Sequence, residues 1–201
     1  SIIELPCGGW EGVYNKSVEN SLDKLDTFSM SDLPNWFCSL SLKGDKFAGV
    51  NPIPLLMSQI QEIEGTGEHW QNVYTILTEL YVNALDHGIL TLNSELKDSA
   101  EGFSEYFNQR QERLNTLKDG DIDIYIGVYQ LKNMGKIVIK IKDSGEGFDA
   151  SKYLEAEDTN NISQKLSGRG IQVVKQLSNS LNYYDNGTLV EASYLWEKTA
   201  N

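Results

Sequence analysis

The stretch "LTELYVNALDHGIL", Leu77 to Leu90, decides how this chain is read. At ~100° per residue, Leu80 and Ala84 continue an apolar stripe that starts at Val73, Ile76 and Leu77, so an amphipathic helix is predicted from near Glu68 onward. Its polar side is unusual. Glu79, Asn83 and Asp86 fall within about 60° of one another beside the stripe, with His87 one step further round and Gly88 after it. A face made only for water would use Lys and Glu. A carboxylate and an amide oxygen one turn apart suit a hard cation such as Mg²⁺, which takes one or two protein oxygens and leaves the rest to phosphates and water. The same carboxylate could orient or deprotonate a nucleophile. A hydrated helix face that simply ends over Asp86–Gly88 fits these residues as well.

Two glycine-rich stretches lie downstream. "IKDSGEGF", Ile141 to Phe148, places Asp143 at the end of an alternating strand, with Gly145 and Gly147 letting the backbone come close to a ligand. An acid there suits an exocyclic amine such as adenine's. The dinucleotide fingerprint is rejected for this turn, because Asp143 and Glu146 would face a pyrophosphate and no parallel βαβ unit surrounds them. A bland glycine turn closing a hairpin strand remains open. "LSGRGIQVV", Leu166 to Val174, starts a helix at Gly168 and Gly170, whose unpaired N–H groups and dipole would favour an anion, with Arg169 between them. Plain glycine capping of an amphipathic helix is the alternative. No Walker-type loop occurs, so a nucleotide site here is not a P-loop.

The rest of the chain supports one domain. Its 201 residues, 40% hydrophobic and 23% charged, suffice for a core. A formal charge of −12 argues against a nucleic-acid partner held by phosphates, though a small nucleotide needs only a local electropositive pocket. Cys7 and Cys38 are too few for a disulfide framework or zinc cluster. No run approaches the ~20 apolar residues of a membrane span and no signal peptide opens the chain, so a cytoplasmic protein without a membrane partner is expected. The chain opens at Ser1 rather than Met, as a piece of a longer protein would.

Residues 1–34 are weakly periodic and read as a linker or N-terminal arm, with the folded domain over 35–201. Strands are predicted over Trp36–Leu42, Asp121–Tyr129 and Lys136–Lys142, and a final hairpin turns at Asn186–Gly187. Helices are predicted over Leu55–Ile63 and about 103–117, the latter turning Phe103, Phe107 and Leu114 inward. Residues 150–167 read as a loop. The order of elements is α+β rather than alternating βαβ.

Each site signal is weak alone, but the ordered set resembles the GHKL superfamily of ATPases. "ELYVNALDHG" looks like its N box, "DSGEGF" and "GRGI" like its two glycine boxes, and "GTLVEA" like its final strand. The resemblance spans about 36–196. It implies a two-layer α/β sandwich of the Bergerat type, a mixed, mainly antiparallel sheet with helices on one face, binding ATP and Mg²⁺. Position by position it implies Glu79 as general base, Asn83 as Mg²⁺ ligand, and Asp143 for the adenine amine with Gly145 and Gly147 shaping that wall. Gly168, Arg169 and Gly170 would cradle phosphates with Ile171 beside them, Thr188 would assist adenine binding, His87 and Gly88 would line the site, and residues 150–167 would form a lid.

The His-Gly ending and short "SGRGI" box look most like the anti-sigma-factor serine kinases. The insert from Leu92 to Ile122 resembles a bacterial subgroup in which such a domain ends a response regulator, after receiver and phosphatase domains. That likeness implies a protein serine/threonine kinase acting on an anti-sigma-factor antagonist. A sigma or anti-sigma factor as partner and a homodimer are compatible with it. The alternatives are a nucleotide-dependent binding module, or the catalytic domain of a histidine kinase. The latter lacks a preceding helical hairpin with a phosphoacceptor, since His69 and His87 are the only histidines. One position departs from the anti-sigma pattern. Leu166 stands where those kinases carry a basic residue before the second box, leaving Arg169 as the candidate catalytic cation.

Overall fold

Strict alternation places the sheet. In Asp121–Gln130 (β2) the residues Ile122, Ile124, Ile126 and Val128 are buried, and in Met134–Asp143 (β3) the same holds for Ile137, Ile139 and Ile141. Trp36–Lys43 (β1) pairs with β2, and Leu189–Glu197 (β5) lies between β3 and Ser180–Tyr184 (β4), giving the order β1-β2-β3-β5-β4. The computed structural model describes residues 33–150 and 169–197. Every strand pairing among them is antiparallel, so the mainly antiparallel sheet expected is antiparallel throughout this part of the chain, and no parallel βαβ unit stands at Asp143.

Helices cover the apolar face. Pro52–Glu64 (α1) starts where the Asn51 side chain accepts the Ile53 N–H at 3.2 Å, with prolines in its first turn, where no intrahelical partner is lost. Ile53, Leu56, Met57 and Ile60 enter one core with Val73, Ile76, Leu77 and Leu80 of Trp70–Val82 (α2) and the isoleucines of the sheet. Each such side chain contributes about 1.5–3 kcal/mol by leaving water. Val174 of a last helix, Arg169–Leu177, joins them. The opposite face of the sheet is largely polar, with Lys140 and Glu191 paired at 2.8 Å. No helix among the described residues is long and apolar enough to cross a membrane.

The helix of the insert, Ala100–Thr116 (α3), corrects one expectation. Phe103 and Phe107, predicted to face inward, are 45% and 51% exposed and lean on each other edge-on at 4.9 Å. Leu114 is buried as predicted, and Tyr106 is buried in place of the two phenylalanines. Two aromatic stripes compete on this helix, and a polar partner for the Tyr106 hydroxyl settles the choice. The arm predicted over 1–34 and the lid over 150–167 lie outside the described residues, save 33, 34 and 150.

Candidate active site

The helix of the opening stretch changes gait as it reaches the site. After Val82 the chain runs on as a π-helical turn, Asn83–Ile89, in which the Leu90 N–H donates to the Leu85 carbonyl at 2.8 Å, five residues back. A wider turn advances each residue through a smaller angle than the ~100° of an α-helix. Glu79 and Asn83 therefore keep facing a cavity while Asp86 swings away from it. The grouping of Asp86 with those two residues on one polar line is thereby corrected. Asp86 is 3% exposed and accepts from the Tyr106 hydroxyl and from Arg110 Nε, each at 2.7 Å. Burial, then the bond to Asp86, pushes the Tyr106 phenol well above its ordinary range. Arg113 clamps the end of the turn through the Leu90 carbonyl at 2.5 Å and the Thr91 carbonyl at 2.9 Å, and His87 Nδ1 lies 2.8 Å from the Leu92 carbonyl.

The facing wall is made by backbone. Asp143 closes β3, its N–H donating to the Thr188 carbonyl and its Oδ1 accepting from the Gly145 N–H, both at 2.9 Å. Burial raises the Asp143 carboxyl, and the Gly145 bond opposes that rise. A methyl group at Gly88 would lie 2.6 Å from Asp143 Oδ1, and one at Gly145 would overlap the Gly88 carbonyl. Gly147 has φ +79°, with the Asn186 carbonyl where a Cβ would stand. Thr188 donates its hydroxyl to the Asp185 carbonyl at 2.8 Å. At the other end the first turn of the helix Arg169–Leu177 (α4) abuts α2, and a methyl at Gly170 would overlap Glu79 Oε2 and stand 3.7 Å from Asn83 Oδ1.

Between these walls lies a cavity of about 470 Å³, large enough for a small organic ligand. Glu79, Asn83, His87, Gly88, Asp143, Gly147, Arg169, Gly170, Ile171 and Thr188 all line it. Gly145 stands behind the wall as the hydrogen-bond partner of Asp143, and Gly168 lies outside the described residues. Residues that sequence reasoning missed also line it, namely Asn93, Ser94 and Lys97 from the insert. Nothing in their spacing forms a motif; only the folding of the insert back over α2 brings them in.

The cavity is chemically two-ended. At one end Asp143 offers a fixed acceptor among close-packed glycines, suited to a flat base with an amine. At the other, Glu79, Asn83 and the N-terminus of α4 meet, suited to phosphates and a cation. Burial raises the Glu79 carboxyl, partly offset by the charge of Lys97. Among the described residues Asn83 Nδ2 is buried without a hydrogen-bond partner. No group of three His, Cys, Asp or Glu among them could hold a metal. A cation here would thus take Asn83 as its protein ligand and its other oxygens from phosphate and water, the arrangement Mg²⁺ accepts. The model of the histidine kinase-like ATPase domain family matches residues 54–194, which include every site residue named above. No curated protein matches.

Proposed function

The chain belongs to the histidine kinase-like ATPase domain family, a GHKL-type fold that binds ATP, and from that premise we propose that it is an ATP- and Mg²⁺-dependent protein serine/threonine kinase whose substrate is an anti-sigma-factor antagonist. The observation that carries this reading is the contact of Glu79 with Gly170, which sets a carboxylate against the phosphate end of the cavity. A hydroxyl must shed its proton as its oxygen attacks, whereas the ring nitrogen with which a neutral imidazole attacks carries none. A base at this place favours a serine or threonine acceptor over histidine. Burial raises the Glu79 carboxyl toward the range in which a base is effective.

Asp143 accepts from the exocyclic amine of adenine, with Thr188 beside it, while Gly88, Gly145 and Gly147 leave room for the ring plane. The Asn83 amide oxygen would hold Mg²⁺, which would offset the charge of the phosphates. Arg169 and the N–H groups at the start of α4 receive the phosphate oxygens. Glu79 takes the hydroxyl proton as the new O–P bond forms, and ADP carries away the electron pair of the broken one. Positioning and charge do most of the work, as is general for phosphoryl transfer.

Incubation with labelled ATP and a candidate antagonist tests the reading. The native chain should give acid-stable label on serine or threonine, and Glu79→Gln should lose about 10²–10⁴-fold of the rate while still binding ATP. Equal labelling by both sinks the role of Glu79. Nucleotide binding without transfer to any candidate favours a nucleotide-dependent binding module instead.

A further inference from the structure

One charged group in the cavity comes from the insert and has no part in the function proposed above. Lys97 sits on a short 3₁₀ turn, Ser94–Asp98, and lines the cavity with Ser94, partly buried. Its Nζ stands 4.2 Å from the centroid of the Tyr106 ring. Tyr106 is held by Asp86, and Asp86 by Arg110. The ammonium therefore rests on a fixed aromatic face rather than swinging at the end of a loose stem. Among the described residues no acid forms an ion pair with it. Its charge nevertheless reaches Glu79 and works against the upward pull of burial there. Lys97 thus shares the cavity with Glu79 and Gly170 and stands within electrostatic reach of the Glu79 carboxylate. Gly88, which packs on Asp143, lies more than two turns further along the helix.

A triphosphate brings a high negative charge to a place that already holds a carboxylate, in a chain of formal charge −12. Leu166 occupies the position directly before Ser167-Gly168, with Lys165 one place earlier and Arg169 inside the box. We propose that Lys97 binds the terminal phosphate of the nucleotide, so that the insert delivers a second cation to the cavity beside Arg169 of the glycine box. An ammonium is a compact point charge with three rotatable donors, well suited to one phosphate group. The inference rests on the cavity being a nucleotide site. It adds that discrimination between tri- and diphosphate depends on the insert.

Calorimetric titration of the full chain with ATP and with ADP, in the presence of Mg²⁺, tests it with Lys97→Met and Lys97→Arg. Lys97→Met should weaken ATP about tenfold and leave ADP within about twofold, and Lys97→Arg should recover part of the ATP affinity. Thermal unfolding of each variant checks that the fold is kept. Native-like ATP affinity in Lys97→Met, or equal loss of ATP and ADP, overturns the assignment while nucleotide binding stands. A native chain that binds neither nucleotide overturns the nucleotide reading itself.

Discussion

The two walls of the cavity are built on different principles. The helical wall works through side chains, Glu79, Asn83 and Lys97, and is held from behind by the buried Asp86–Arg110–Tyr106 set. The strand wall works through missing side chains, because Gly145 and Gly147, and Gly88 of the helical turn packed on it, each stand where a methyl group would strike a neighbour. One wall is therefore sensitive to lost charge and the other to added volume. The same substitution, to alanine, should injure them in opposite ways, through stability on the first and through ligand fit on the second.

The largest stability effect is expected behind the helical wall. Asp86→Ala leaves Arg110 facing a vacated site and removes the acceptor of the Tyr106 hydroxyl. Breaking a buried pair costs about 3–5 kcal/mol, and because Arg110 is 29% exposed the loss should fall near or just below the lower end. Urea unfolding at neutral pH measures it. Asp86→Asn, which keeps an acceptor for Tyr106, should lose roughly half as much. A native midpoint for Asp86→Ala would mean that the insert is not what holds this wall.

Where the helical turn packs on the strand wall, Gly88→Ala should barely move the unfolding midpoint, because Asp143 can rotate away from the new methyl. It should weaken ATP about tenfold, since the displaced carboxylate loses both the Gly145 N–H and its aim at the base. Competition by GTP, whose base offers no amine at the equivalent place, should then suffer less than ATP does. Equal loss for the two nucleotides would break the assignment of Asp143.

The smallest effect distinguishes function from stability at a single residue. Burial raises the Glu79 carboxyl, so the unfolded chain ionises it at lower pH than the folded chain does. Its favourable contribution is complete below the ordinary value of 4.5 and is lost as pH rises through the higher folded value. Glu79→Gln, the variant expected to lose phosphotransfer, should therefore unfold slightly later than the native chain at pH 7. That gain should vanish below about pH 4.5. A gain that persists at low pH would point to packing rather than ionisation.

Much of this molecule was legible before folding was considered, and the reason is local. The isoleucines of β2 and β3 alternate so strictly that only one face could be buried, and the apolar stripe of α2 follows from its own spacing. Asp143, Gly147 and Gly170 were readable because strand ends and helix starts carry distinctive residues. What could not be read depended on distant partners. Periodicity allowed either aromatic stripe of α3 to face inward, and Asp86, buried one helix away, decides for Tyr106. The same bond places Lys97, which belongs to no local pattern. The π turn was illegible too, because a shift from four to five residues between bonded groups leaves no mark on composition.

That turn can be understood as a change of phase. Upstream of it the helix keeps time with the cavity, and Glu79 and Asn83 fall on the beat. Downstream it keeps time with α3, and Asp86 falls there instead. One continuous segment thus serves two clients that a uniform helix would force to compete for the same side. The slipped step lets an inserted helix attach to the helical wall of the cavity without displacing anything that wall presents.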